Sequence, residues 1–81
     1  MTIGQRIKIR REELNMSQDD LAKKVGYKSR SSINKIELDL YSLKQSKIKA
    51  IADALETSMD YLAGRTADPR PYPPIKQKPL K

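Results

Sequence analysis

The chain has 81 residues, enough for one small domain, and it contains neither cysteine nor histidine. This composition excludes a disulfide scaffold, metal sites built from thiolate or imidazole ligands, and the commonest general base of enzymes. Lys and Arg number 17 against 10 Asp and Glu, which gives a net charge of +7. The excess indicates a polyanionic partner, either nucleic acid or an acidic membrane surface, although a well-solvated surface alone would also account for it.

The chain divides into two parts of different composition. All five prolines follow Thr66, and residues 66–81 carry a net charge of +3 without any apolar periodicity. Because proline lacks the amide hydrogen that regular structure needs, we expect residues 66–81 to form a disordered or extended tail rich in Pro and Lys. Residues 1–65 are the predicted folded domain. No apolar run is long enough for a membrane span or a signal-peptide core.

Apolar residues recur at helical spacing in the first part of the domain. A first helix is predicted to end near Asn15. A second begins after Ser17, a good N-cap with Asp20 as its capping-box partner, and ends at Gly26. The predicted buried positions of the two helices are Ile3, Ile7, Leu14, Leu21, Ala22 and Val25.

Three further helices are predicted in the rest of the domain. The third follows Ser29 as N-cap and runs to about residue 37, and an unusually apolar loop covers residues 39–44. The fourth spans about residues 45–55. A last short helix is capped by Thr57 or Ser58 and stops at Gly64; the predicted buried positions of these three helices are Ile33, Ile36, Ile48, Ile51, Ala52, Leu55, Met59 and Leu62. The fold class is all-α, with five helices.

Residues 18–37 are the informative stretch, since they predict two short helices joined by a turn that contains glycine. The second of these helices buries only a narrow apolar stripe. Its other face is polar and comprises Arg30, Ser31, Asn34 and Lys35. The major groove of DNA admits one helix and presents hydrogen-bond donors and acceptors at the base edges, so such a face suits it. The two cations could instead be ordinary solvated charges.

The order Leu-Ala-Lys-Lys-Val-Gly, followed by Ser-Ile-Asn-Lys-Ile-Glu, resembles the helix-turn-helix of the lambdoid phage repressor and Cro (XRE-type) family. The resemblance covers about the first 65 residues, from Ile-Gly-Gln-Arg through Ala-Ile-Ala-Asp-Ala-Leu to Asp-Tyr-Leu-Ala-Gly. It implies the five-helix domain of that family. The turn after Gly26 is one residue longer than in the commonest members, which leaves open which of Lys28, Ser29 and Arg30 reaches bases rather than phosphates.

The resemblance also implies roles for individual residues. It pairs Arg11 with Glu37 in a salt bridge that ties the first helix to the end of the recognition helix. Gln18, at the start of the second helix, is expected to contact a backbone phosphate. The other expected DNA-binding residues are Lys28, Ser29, Arg30, Ser31, Asn34 and Lys35 around the recognition helix, and Lys44, Ser46 and Lys47 near the fourth helix.

These patterns predict a cytoplasmic, nucleoid-associated regulator that binds double-stranded operator DNA as a homodimer and represses by excluding RNA polymerase. We expect no enzymatic activity, no metal, no cofactor and no membrane partner. The alternative is an antitoxin or interaction module whose tail binds a partner protein. The tail itself is a linker to a further C-terminal domain, a nonspecific DNA-binding arm or an end without a role, and we favour the linker.

Overall fold

Five α-helices occur in residues 1–71, which are the residues described by the structure, a computed structural model. They are α1 (Ile3–Glu13), α2 (Gln18–Val25), α3 (Arg30–Glu37), α4 (Gln45–Ala54) and α5 (Met59–Ala63). This stretch contains no strand, so the predicted all-α fold of five helices is confirmed there. None of its helices is long and apolar enough to cross a membrane. Residues 66–71 contain bends but no helix or strand, and the rest of the predicted tail, residues 72–81, lies outside the described residues.

Short-range capping signals account for the ends of the first two helices. Thr2 and Gln5 form a capping box that starts α1, which ends two residues earlier than predicted. Ser17 and Asp20 form the predicted capping box at the start of α2, and the Ser17 N–H bond lowers the pKa of the Asp20 carboxyl. Gly26 ends α2 in the left-handed conformation, with φ +85°, because glycine adopts it without a steric penalty.

The cap of α3 differs from the prediction. Ser29 occupies the N-cap position, but its side chain makes no capping hydrogen bond. Its hydroxyl instead lies 2.7 Å from the Ser31 hydroxyl. In the first turn of α3 the Ser32 amide donates to the Ser29 carbonyl oxygen at 3.3 Å, and the Ser29 side chain accepts from no amide of the turn.

This difference predicts unequal costs for two serine substitutions. Ser17→Ala should lower the free energy of unfolding by about 1 kcal/mol, because it removes a cap that is made. Ser29→Ala should change it by no more than a few tenths of a kcal/mol, since no cap bond is lost. Urea denaturation followed by circular dichroism measures both values. Equal losses would contradict this assignment of the caps.

The last two helices meet at a tight corner. Arg10 of α1 reaches this corner, where its Nε and Nη2 donate to the carbonyl oxygens of Leu55 and Glu56 at 3.0 and 3.1 Å. It thus supplies the cation that α4 itself lacks in its last turn. Of the two predicted caps of α5, Ser58 accepts the capping bond from the Tyr61 amide.

The core lies between all five helices. Its largest fully buried side chains are Ile7, Leu21, Ile33, Ile36, Ile51, Leu55 and Leu62. Five positions that the pattern predicted as buried are only partly buried against the core: Ile3, Leu14, Val25, Ile48 and Met59. The small Ala22 of α2 is buried, and α2 packs against both α3 and α4. Because α3 contributes only Ile33 and Ile36 as apolar core residues, the opposite side of this helix faces solvent.

The start of α1 approaches the end of α3 closely. The Asp39 carboxylate, just beyond α3, accepts the Gly4 amide at 3.0 Å and the Thr2 hydroxyl. Gly4 is buried there, with no room for a side chain against the backbone of α3. These contacts fix the direction of α3 relative to α1.

Candidate nucleic-acid interface

The outer face of α3 carries the residues singled out from the sequence. Arg30, Ser31, Asn34 and Lys35 are all exposed, while Ile33 and Ile36 of the same helix are 0% and 2% exposed. One side of an eight-residue helix is thus anchored in the core and the other is wholly polar. A helix held in this way can enter a groove without disturbing the fold.

The turn before α3 places two more candidates beside this face. Lys28 and Ser29 are both exposed, and they directly precede Arg30 along the chain. Ser29 shares its hydrogen bond with Ser31. The turn and the first turn of α3 therefore form one continuous polar surface.

The start of α4 lies next to that turn. One shallow cleft is lined by Tyr27 from the turn, Tyr41 from the loop, Lys44 at the N-cap of α4, and the α4 residues Ser46 and Lys47. The Lys47 ammonium lies 4.7 Å from the centre of the Tyr27 ring, and burial raises the pKa of the Tyr27 hydroxyl. Lys44 and Ser46 are exposed at the N-terminus of α4, where no side chain caps the helix. The structure thus brings Lys44, Ser46 and Lys47 together beside Tyr27, which directly precedes the candidates Lys28 and Ser29 along the chain.

The two tyrosines were not among the residues predicted for the site. Tyr27 contacts Lys47, and the Tyr41 ring lies 5.9 Å from the Lys35 ammonium. Each aromatic ring therefore orients a lysine of the polar surface. The sequence contained no local signal for these pairs, because the partners are separated by 20 and 6 residues.

We use the name basic surface for the five cations of this region: Lys28, Arg30, Lys35, Lys44 and Lys47. Within residues 1–71, none of the five forms an ion pair with a carboxylate. By contrast, several cations elsewhere on the domain are neutralised, such as Lys23 by Asp19 and Arg65 by Asp60. The basic surface therefore keeps its charge available for an anionic partner.

A buried ion pair lies between α1 and the C-terminal end of α3. Arg11 and Glu37 are 8% and 5% exposed, and the guanidinium donates to both carboxylate oxygens, with Nε–Oε2 at 2.6 Å and Nη2–Oε1 at 3.1 Å. Arg11 Nη1 also donates to the Met16 carbonyl at 2.8 Å. The bond to Glu37 raises the pKa of Arg11. The pair ties α1 to the last turn of α3, as the resemblance implied.

Gln18 lies between this ion pair and the exposed face of α3. Its side-chain nitrogen donates to Glu37 Oε1 at 3.0 Å and to Asn34 Oδ1 at 3.3 Å. The side chain is half-buried. The expected contact of Gln18 with a phosphate stays a prediction. In the structure, its side-chain amide is hydrogen-bonded within the protein. These contacts span 19 and 16 residues, so the sequence could not have revealed them.

Comparison with known proteins agrees with this architecture. Residues 7–62 match the family described as Helix-turn-helix. The immunity repressor protein of Bacillus phage phi105 is 41% identical over 64 residues, which cover 79% of this chain and 44% of the relative. The chain therefore spans less than half the length of that curated relative.

A solved structure shares the fold. The P22 c2 repressor protein, crystallised in complex with a synthetic operator, superposes with a TM-score of 0.71 at 33% identity. The match covers 78% of this chain and 94% of that chain. The family match and these two relatives agree with the five-helix architecture and the polar face of α3. This chain belongs to the helix-turn-helix family of the lambdoid phage repressor type.

Proposed function

We propose that this chain is a sequence-specific DNA-binding repressor that places α3 in the major groove of an operator. The observation that carries the proposal is the exposed polar face of α3, flanked by the unpaired basic surface. Residues 1–65 supply every group that the proposal uses. Repression would follow from occupying DNA that RNA polymerase needs, and such a protein acts where the DNA is, in the cytoplasm.

The relatives support this function. One is named an immunity repressor, and the other was crystallised on a synthetic operator. When a helix-turn-helix protein binds DNA, the second helix of the motif lies in the major groove and the first helix crosses the DNA backbone. Applied to this chain, Arg30, Ser31, Asn34 and Lys35 face base edges. Lys28, Lys44, Ser46 and Lys47 lie toward the phosphates, because they border the groove-facing helix on the turn and on α4.

This division of roles predicts different effects for two cation substitutions. Arg30→Ala should cost about 1–3 kcal/mol of discrimination at particular base positions, because arginine donates to guanine in the major groove. Lys44→Ala should weaken binding to all sequences alike and reduce the salt dependence by about one counterion. Binding to a panel of duplexes with single base-pair changes, at two salt concentrations, measures both effects. If Arg30→Ala kept the base preferences of the parent chain, the assignment of α3 to base readout would be wrong.

We further propose that two copies bind one operator as a homodimer. Leu38, Leu40 and Tyr41 follow α3 and are 60%, 66% and 47% exposed; we call these three apolar side chains the patch. A two-fold dimer brings the same patch of both copies together. Three partly exposed side chains fall well short of the roughly 800 Å² per partner that a stable interface buries, so this contact suits a dimer that forms on DNA.

The patch can be tested without altering the basic surface. Leu40→Gln should weaken binding to a duplex with two half-sites by about tenfold, because it removes apolar surface from the contact at the two-fold axis without adding a charge. Binding to a duplex with a single half-site should not change, and this duplex is the matched control. Gel-shift titration of both duplexes gives the comparison. Equal binding of the variant and the parent to the two-site duplex would exclude this patch as the dimer contact.

A further inference from the structure

A chain of hydrogen bonds connects the buried ion pair to the face of α3 that the proposed function assigns to base reading. It runs from Arg11 through Glu37 and Gln18 to Asn34. The first two members are buried, Gln18 is half-buried and Asn34 is exposed. The buried Glu37 carboxylate is therefore connected through the Gln18 amide to Asn34, a side chain on the exposed face of α3.

The chemistry of the groups fixes the direction of every bond in this chain. A guanidinium only donates and an ionised carboxylate only accepts. Glu37 must therefore accept from Gln18, which turns the Nε2 atom of Gln18, and not its oxygen, toward the carboxylate. That nitrogen has a second hydrogen, which points to Asn34. Asn34 can accept a hydrogen bond only through its side-chain oxygen, so its Oδ1 faces Gln18. Its Nδ2 is therefore turned away from Gln18.

This geometry also leaves Gln18 without a side-chain hydrogen for DNA. A carboxamide nitrogen carries two hydrogens, and Glu37 and Asn34 accept both. A phosphate oxygen accepts but cannot donate. The Gln18 side chain could therefore donate to a phosphate only by releasing one of its two partners.

We propose that Gln18 is a positioning residue that holds the amide of Asn34 in one orientation and thereby sets the base that Asn34 reads. An asparagine that is free to turn over can exchange the positions of its donor and acceptor, so it can adapt its hydrogen bonds to more than one base. A held asparagine offers one pattern only, and a good bidentate contact discriminates by roughly 5- to 150-fold. The inference rests on the proposed function, since it concerns the face that would enter the groove.

The test begins with the duplex that the parent chain selects from a random pool, and then uses every single base-pair variant of that duplex. Asn34→Ala identifies the base pair that Asn34 reads. Gln18→Met keeps the length of the side chain but has no N–H, and Gln18→Ala removes the side chain. Both are expected to lose preference, by about fivefold or more, at that same base pair and to keep the parent's preferences elsewhere. Lys44→Ala is the matched control for a uniform loss.

The double variant Gln18→Met with Asn34→Ala separates positioning from an independent contact. If Gln18 acts through Asn34, the double variant has the base preferences of Asn34→Ala alone. Thermal unfolding of each variant shows that the domain remains folded during the assay.

Two results would overturn the inference alone. One is a loss that is uniform over all duplexes, as for Lys44→Ala, and the other is an additive effect of Gln18→Met in the Asn34→Ala chain. Failure of the parent chain to select any sequence is a different result. It would overturn the proposed function, and the inference with it.

Discussion

Replacing Gly4 with alanine is expected to lower the free energy of unfolding by about 3 kcal/mol, at the upper end for overpacking. A Cβ atom at this position would lie 2.5 Å from the Ile36 carbonyl oxygen and 2.7 Å from that of Glu37. Both are backbone atoms at the end of α3, so neither can swing aside as a side chain would. Relief requires α1 to move away from α3, which also breaks the bond from the Gly4 amide to Asp39.

Gly26→Ala is the matched control, because it measures the cost of a left-handed backbone conformation without any steric clash of the added Cβ. Gly26 has a φ of +85°, but nothing lies within 4 Å of an added Cβ. Gly26→Ala should lower the free energy of unfolding by about 1 kcal/mol, because it forces an L-residue into the left-handed region. Urea denaturation of the two variants gives the comparison. A smaller loss for Gly4→Ala than for Gly26→Ala would contradict the close approach of α1 to α3.

Removing one partner of the Arg11–Glu37 pair should have the largest effect of any side-chain truncation outside the apolar core. Glu37→Ala is expected to cost about 3–5 kcal/mol, because it leaves a buried guanidinium without its carboxylate. That loss is comparable with the whole stability of many small domains, so the variant should be largely unfolded at 37 °C. Circular dichroism during thermal unfolding detects the change directly.

The double replacement Arg11→Met with Glu37→Met distinguishes an uncompensated charge from a lost contact. Apolar side chains of similar size leave no buried charge, so the double variant should be more stable than Glu37→Ala. A double-mutant cycle with the single methionine variants measures the coupling between the two side chains. Strict additivity of the singles would show that the pair does not act as a unit.

The elements that the sequence predicted well depend on short-range signals. Ser17 and Asp20 start α2 and Gly26 ends it, and all three act within the helix that they delimit. The polar face of α3 was likewise visible, because a helix of known register fixes which residues lie opposite Ile33 and Ile36. The partner of Arg11 came from resemblance to a family and not from the residue types.

What the sequence did not reveal are contacts between residues distant along the chain. Gln18 reaches Glu37 and Asn34, and Lys47 covers the ring of Tyr27, only because the helices are already packed. At Ser29 the local sequence signal predicted a contact that the structure does not make. Its type and place predicted a cap, but its hydroxyl bonds to Ser31 instead. Such choices depend on tertiary geometry, which propensity and periodicity do not encode.

Selection of bound duplexes from a random double-stranded pool, at salt near physiological, tests sequence-specific operator binding most directly. The account predicts recovery of an inverted repeat whose half-sites lie about one helical turn apart, because two copies of α3 would enter successive major grooves on one side of the duplex. Recovery of no common sequence, with binding that disappears as salt rises, would contradict it. The basic surface would then attract DNA by charge alone.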